Sequence, residues 1–166
     1  MKINQKIKKV AFIGMGLINS SLARDLKIKK FYLSSSAYSR RLSTINKIKK
    51  LKLVDFASSN IKKTIKEADI IIVGIPVAAY QEVFIKICNN IKPGAIITDV
   101  GSVKKEVINS VKKYIPKNID FVPGHPIAGT ENSGPESGFA GLFKNGWCIL
   151  TPCLLYTSDA ADDDRS

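Results

Sequence analysis

Between Lys8 and Ile115 the sequence repeats one pattern four times: a short apolar run, then an amphipathic stretch. KKVAFIG precedes LINSSLARDLKIKK, FYLSSSAY precedes SRRLSTINKIKKLK, ADIIIVGIP precedes VAAYQEVFIKICNNI, and GAIITDV precedes GSVKKEVINSVKKYI. Few architectures accept that alternation. Parallel strands need crossover segments between them, and strands covered on both faces are apolar throughout rather than at every second residue. Residues 70–73 and 96–97 have that character. The four-residue spacing of Ile18, Leu22 and Leu26, and of Val103, Val107, Val111 and Ile115, predicts one buried stripe on each of two helices. Residues 53–56, 119–122 and 147–150 read as further strands. The expected fold class is α/β, a doubly wound parallel sheet with helices on both faces.

With 166 residues, 45% of them hydrophobic, the chain suits one core, and residues 1–152 are assigned to a single domain. After Pro152 the composition changes: CLLYTSDAADDDRS contains no lysine and ends in an acidic run. Residues 153–166 read as a tail foreign to the domain, or disordered. The net charge of +12 suits an anionic partner, although lysines spaced round helices are mostly solvated faces. They are not interleaved with aromatics in a nucleic-acid recognition motif, so no nucleic-acid partner is expected. Cys88, Cys148 and Cys153 form no C-x-x-C pair, which argues against a disulfide framework or a zinc site and favours a reducing cytoplasm. The N-terminal run imitates a signal peptide but is broken by Gly14 and Gly16. No run approaches the roughly 18 to 20 apolar residues that span a bilayer, so no membrane partner is expected; with no zinc-like cysteine spacing, no metal is expected either.

The chemistry concentrates where strands should end. Gly14-Met15-Gly16-Leu17-Ile18-Asn19 follows a predicted strand and opens a predicted helix, the setting required of a G-x-G-x-x-G dinucleotide fingerprint. Gly14 permits a tight turn, and Gly16 admits a pyrophosphate to the free N–H groups of the helix start. Asn19 replaces the third glycine, which usually allows close packing of helix on strand. The second strand ends in Tyr38-Ser39-Arg40-Arg41, with no carboxylate to read a ribose 2′-hydroxyl. The Ser39 hydroxyl and the Arg40 and Arg41 guanidinium groups suit a 2′-phosphate, so NADP is the preferred cofactor and NAD the alternative. Arg40 and Arg41 are equally compatible with the start of a surface helix.

DVGSVK should end the fifth strand, where Ser102 can cap the next helix, orient a substrate or do both, and Lys104 can bring positive charge to a carboxylate. VPGHPIAGTENSG holds the only histidine, His125, expected in a loop on the same sheet edge near Thr130 and Glu131.

In the order GMGLINSSLARDLK, ADIIIVGIPV, IITDVGSVK, GHPIAGTENSG and GWCILTP, residues 8–152 resemble the nucleotide-binding half of the prephenate/arogenate dehydrogenase family of tyrosine biosynthesis. The resemblance implies a Rossmann-like domain and NAD(P)-dependent oxidative decarboxylation of prephenate or arogenate. Hydride leaves ring C4, the ring carboxylate leaves as carbon dioxide, and aromatisation drives the reaction. By that match His125, neutral at cytoplasmic pH, accepts a hydrogen bond from the C4 hydroxyl. Ser102 helps hold that hydroxyl and the nicotinamide, and Glu131 belongs to a polar network controlling access. Gly14, Gly16, Leu17, Ile18, Ser39, Arg40, Arg41, Pro76 and Ser102 form the cofactor-binding set. The family's C-terminal helical domain, which dimerises and supplies an arginine to the substrate carboxylate, has no counterpart here, so the chain alone is expected to turn over poorly and the full-length protein to be a homodimer. Two other readings stay open. One is an NADP-dependent oxidoreductase of a small hydroxy acid or imine, and the other is a non-catalytic nucleotide-binding module.

Overall fold

The computed structural model describes residues 7–151. The expected tail at 153–166, with Cys153 and the domain boundary at 152, lies outside the described residues. Seven strands form one sheet: β1 Ile7–Ile13, β2 Tyr32–Tyr38, β3 Phe56–Ser58, β4 Ile70–Val73, β5 Ile96–Asp99, β6 Asp120–Pro126 and β7 Cys148–Leu150. Their spatial order is β3-β2-β1-β4-β5-β6-β7. The first six are parallel, and β7 runs antiparallel to β6 with His125 opposite Ile149. Among the described residues five α-helices connect them, α1 Leu17–Ile28, α2 Leu42–Lys50, α3 Ile61–Ile65, α4 Tyr80–Cys88 and α5 Lys104–Val111, with short 3-10 turns at Val77–Ala79 and Lys112–Tyr114.

The central strands β1 and β4 are apolar without alternation because each feeds two cores. Val10 and Phe12 of β1 point to one face with Ala37, Ile72 and Ala57, where Ala23 of α1 and Ile45 and Ile48 of α2 cover them. Ala11 and Ile13 point to the other face with Ile71, Val73, Ile97 and Phe121, beneath α3, α4 and α5. On that side the Phe84 and Phe121 rings meet edge to face at 5.3 Å, tying α4 to the strand that carries His125. The chain order reverses between β1 and β4, and the crevice above that switch point is where doubly wound sheets take ligands.

The structure departs from the sequence reading at several places. The third strand is Phe56–Ser58, not 53–56. Lys52 adopts φ 50° and the Leu53 N–H donates to Ile48 O, so Leu53 closes α2 and its side chain enters the helix-side core. Val103 is exposed and only Val107 and Val111 of its series are fully buried, because α5 begins at Lys104. On α1, Ile18, Leu22 and Leu26 are half-buried, whereas Leu17, Asn19, Ser20, Ser21 and Ala23 form the buried face. Two buried serines belong there because a later loop packs directly on them. His125 lies in β6 rather than in a loop, since antiparallel pairing with β7 extends the strand to Pro126.

Candidate dinucleotide cleft

The glycine turn joins β1 to α1 at the switch point. Gly14 has φ +82°, a conformation L side chains rarely adopt, and its N–H donates to Tyr38 O at 3.0 Å. A Cβ there would stand 2.4 Å from Gly74 O, so only glycine lets the turn close on the end of β4. Gly16 serves a different need. It is the extended N-cap of α1, its missing Cβ faces open space, and no side chain caps the helix. The N–H groups of the first turn therefore remain available, with no acidic side chain beside them, and they favour an anion.

Asn19 is almost wholly buried, and its amide donates to Gly14 O at 2.8 Å with longer approaches to Ile13 O and Ile72 O. The carboxamide thus fastens α1 to β1 and β4 where a glycine would only have allowed contact. A Cβ on Gly74 would lie 2.7 Å from Asn19 Nδ2, so Gly74 makes room for it. Asn19 Oδ1 is buried without a hydrogen-bond partner among the described residues.

Above this floor is a cleft of about 390 Å³. Gly16, Leu17 and Ile18 line one wall, Gly74, Ile75 and Pro76 a second, and Val100, Gly101 and the segment around Thr130 a third. A larger cavity of about 700 Å³ lies beyond Val100, walled by Leu22, Leu26, Phe143 and Trp147. None of the sequence-predicted site residues lines that second space, so the smaller cleft is the functional candidate. At the end of β2, Ser39 accepts from the Arg41 N–H at 3.3 Å, which turns the chain into α2. Arg41 is the N-cap of α2, and both arginines are exposed with no ion pair among the described residues. Nearby on α4, the hydrogen bond and charge of Lys86, followed by a smaller contribution from Arg40, hold the Glu82 carboxyl below its ordinary range.

The predicted chemical groups follow the strand ends at the same sheet edge, and no hydrogen bond joins their side chains among the described residues. Ser102 and Glu131 are exposed, and His125 is half-buried at the end of β6 with no hydrogen bond to its imidazole among the described residues. Their side chains do not line the cleft, although Gly101 and Thr130, their chain neighbours, do. Ser102 caps nothing, because Val103 is the N-cap of α5 and no side chain bonds that end. Lys104 is not free for a substrate carboxylate: its ammonium pairs with Asp99 and donates to Gly124 O at 2.6 Å. Asp99 is buried and also receives the Tyr80 hydroxyl at 3.2 Å and the Gly101 and Gly124 N–H groups at 2.9 and 3.2 Å. Burial and then the Asp99 charge push the Tyr80 phenol well above its ordinary pKa.

The segment after His125 returns across α1. Arg24 donates to Gly138 O at 3.0 Å, the Phe139 N–H donates to Ser21 Oγ at 3.1 Å, and the Gly141 N–H donates to Asp25 Oδ1 at 2.8 Å. A Cβ on Gly138 would fall 2.1 Å from Ser20 Oγ, which explains the serines on the buried face of α1. Sequence reasoning missed Gly74, Ile75, Gly101 and Thr130 as cleft residues; the end of the IIIVGIP run was the available signal for the first two. The role of Asn19 gave no signal beyond the absence of a glycine.

Comparison with known proteins places this geometry. The family model for the prephenate dehydrogenase nucleotide-binding domain matches residues 22–160. A cyclohexadienyl dehydrogenase of Zymomonas mobilis is 39% identical over 145 residues, covering 87% of this chain and 49% of the relative. A prephenate dehydrogenase of Bacillus subtilis is 32% identical, covering 90% and 41%. Among solved structures, prephenate dehydrogenase from A. aeolicus in complex with hydroxyphenyl propionate and NAD+ superposes with a TM-score of 0.81 at 29% identity, covering 90% of this chain and 52% of that one. Synechocystis arogenate dehydrogenase gives 0.78 at 30% identity, covering 92% and 53%. The chain spans about half the length of these relatives.

Proposed function

The chain belongs to the prephenate dehydrogenase family, as its nucleotide-binding domain, and from that membership we propose that the cleft takes a nicotinamide dinucleotide for the oxidative decarboxylation of prephenate or arogenate. The single observation that carries the reading is the paired glycine geometry. Gly14 closes the floor against Gly74, while Gly16 leaves open space over uncapped helix N–H groups, a cradle for a pyrophosphate that a Cβ would fill. When bound, the nicotinamide supplies the hydride acceptor. The chain's own groups bind and orient. Leu17 and Ile18, at the uncapped start of α1, would offer backbone N–H groups to the phosphates, and Pro76 with Ile75 walls the cleft. His125 would accept the hydrogen bond of the C4 hydroxyl and stabilise the carbonyl character that develops there. Ser102 holds the same hydroxyl, and Glu131 belongs to the polar surround at the mouth.

NADP is the preferred form. Ser39, Arg40 and Arg41 follow β2 without a carboxylate, and exposed guanidinium forks with no ion pair among the described residues suit a 2′-phosphate. Titration of the purified chain with each cofactor tests this assignment. Arg40→Ala is expected to weaken NADP about tenfold, the value of one charge-assisted contact, and to leave NAD unchanged. Equal losses for both would refute it.

Substrate orientation is incomplete within residues 7–151. No cation lines the cleft, and Lys104 is committed to Asp99 and Gly124. Hydride transfer needs the ring held within near-attack distance, so a cation from outside the described residues, on a C-terminal domain that also dimerises, completes the proposed site. The purified chain is accordingly expected to bind dinucleotide but to turn over prephenate and arogenate poorly. Turnover at ordinary enzyme rates would sink that part of the reading.

A further inference from the structure

We propose that Asp99, Lys104 and Tyr80 are positioning residues for His125, a role that rests on the function proposed above. The backbone ladder between β5 and β6 ends at Asp99 opposite Pro123, two residues short of the imidazole. Beyond that point, among the described residues, β6 is paired only with β7, three exposed residues at the sheet edge. Side chains take over from the ladder at the next residue. Asp99 Oδ1 accepts the Gly124 N–H and Lys104 donates to Gly124 O, so both backbone groups of the residue before His125 are held by one ion pair. The same carboxylate accepts the Gly101 N–H and the Tyr80 hydroxyl, coupling the ends of β4, β5 and β6 to the turn that carries Ser102.

The two glycines are fitted to this cluster. A Cβ on Gly101 would stand 3.0 Å from Asp99 Oδ2, and one on Gly124 would stand 2.9 Å from Asp99 O. Buried ion pairs add little net stability compared with apolar packing, because desolvation offsets their attraction. What this pair supplies is register: it fixes where β6 parts from β5, and so where the histidine's Cα stands relative to the glycine turn. Lys104 therefore acts on the substrate through His125 and not as a carboxylate ligand.

The chain contains one histidine, so its imidazole Cε1–H gives a single NMR line and reports the site without assignment ambiguity. Lys104→Met, Lys104→Arg and Tyr80→Phe would be compared with the unmodified chain, with and without NADP. In folded Lys104→Met the His125 line is expected to shift, and the magnetisation transfer between that proton and the nicotinamide ring to be lost, while dinucleotide affinity holds; Lys104→Arg restores both in part. A lower melting temperature with the line and the transfer unchanged would overturn the proposal, reducing the pair to a structural one. Should Lys104→Met fail to fold, Tyr80→Phe decides: a shift in the His125 line supports the positioning role and an unchanged line overturns it. If the unmodified chain binds no dinucleotide, the functional reading fails while the position of the His125 line still tests the bracing.

Discussion

Gly14 and Gly16 stand two residues apart and meet different physical demands, so the same substitution separates them. Alanine at Gly14 incurs a left-handed backbone penalty of about 1 to 3 kcal/mol and drives its Cβ into Gly74 O, a backbone atom that cannot swing aside. Alanine at Gly16 meets nothing within the protein, where φ is −80°. Gly14→Ala is expected to lower both the melting temperature and dinucleotide affinity; Gly16→Ala is expected to leave melting unchanged and still lose affinity, because its methyl would occupy the space proposed for the phosphate. Calorimetric melting and titration on the two variants check the pair, and a melting loss in Gly16→Ala would contradict it. Both glycines were legible as a motif. The partner of Gly14 was not, since Gly74 lies sixty residues along the chain. Asn19 was legible only as an absence; its buried amide bonds depend on where β4 ends.

Elements follow the sequence closely where burial on two faces makes the pattern unmistakable, and less closely where one residue decides a boundary. Six runs became β1 to β6, and the pattern is plainest in β1 and β4, whose side chains enter both cores. The third strand slipped by three residues because Leu53 serves the end of α2, and His125 moved into a strand because β7, whose pairing no local pattern announces, lies beside it. Asp69 shows how one side chain joins elements. Its carboxylate accepts the Lys8 and Lys9 N–H groups at 2.7 and 2.9 Å and pairs with Lys92, securing the entrance of β1 against β4. Burial would raise its pKa, but the hydrogen bonds of Lys92, Lys9 and Lys8 outweigh that and hold it below 3.8. A depressed folded pKa means stability present above the unfolded value and lost as pH falls through the folded one. Relative to the unmodified chain, Asp69→Asn is expected to be less stable near neutrality and to converge with it from about pH 4 downward. Urea midpoints at several pH values check the convergence; a constant gap would deny the carboxylate its role.

At the scale of the whole molecule, the sheet edge with its glycine turn and cofactor wall follows from alternation and motif, whereas the roles of Ser102, His125 and Glu131 come from resemblance, since no local rule brings them together. The Asp99 cluster was hidden for the same reason: Tyr80 and Gly124 lie 19 and 25 residues from it in sequence. Charge is the one global property that sequence states outright. A net +12 creates a field that accelerates the approach of any anion, and salt screens it beyond a Debye length of about 8 Å at physiological ionic strength. NADP carries an additional phosphate monoester of roughly −1.5 to −2 charge, so the field acts on it more strongly than on NAD. Stopped-flow association rates are therefore expected to fall more steeply with salt for NADP than for NAD. Contact of Arg40 and Arg41 with the 2′-phosphate would appear separately, as a slower NADP dissociation that persists once steering is screened. Parallel salt slopes for the two cofactors, with equal dissociation rates at high salt, would mean that the basic surface does not meet the extra phosphate, and the preference for NADP would fall with it.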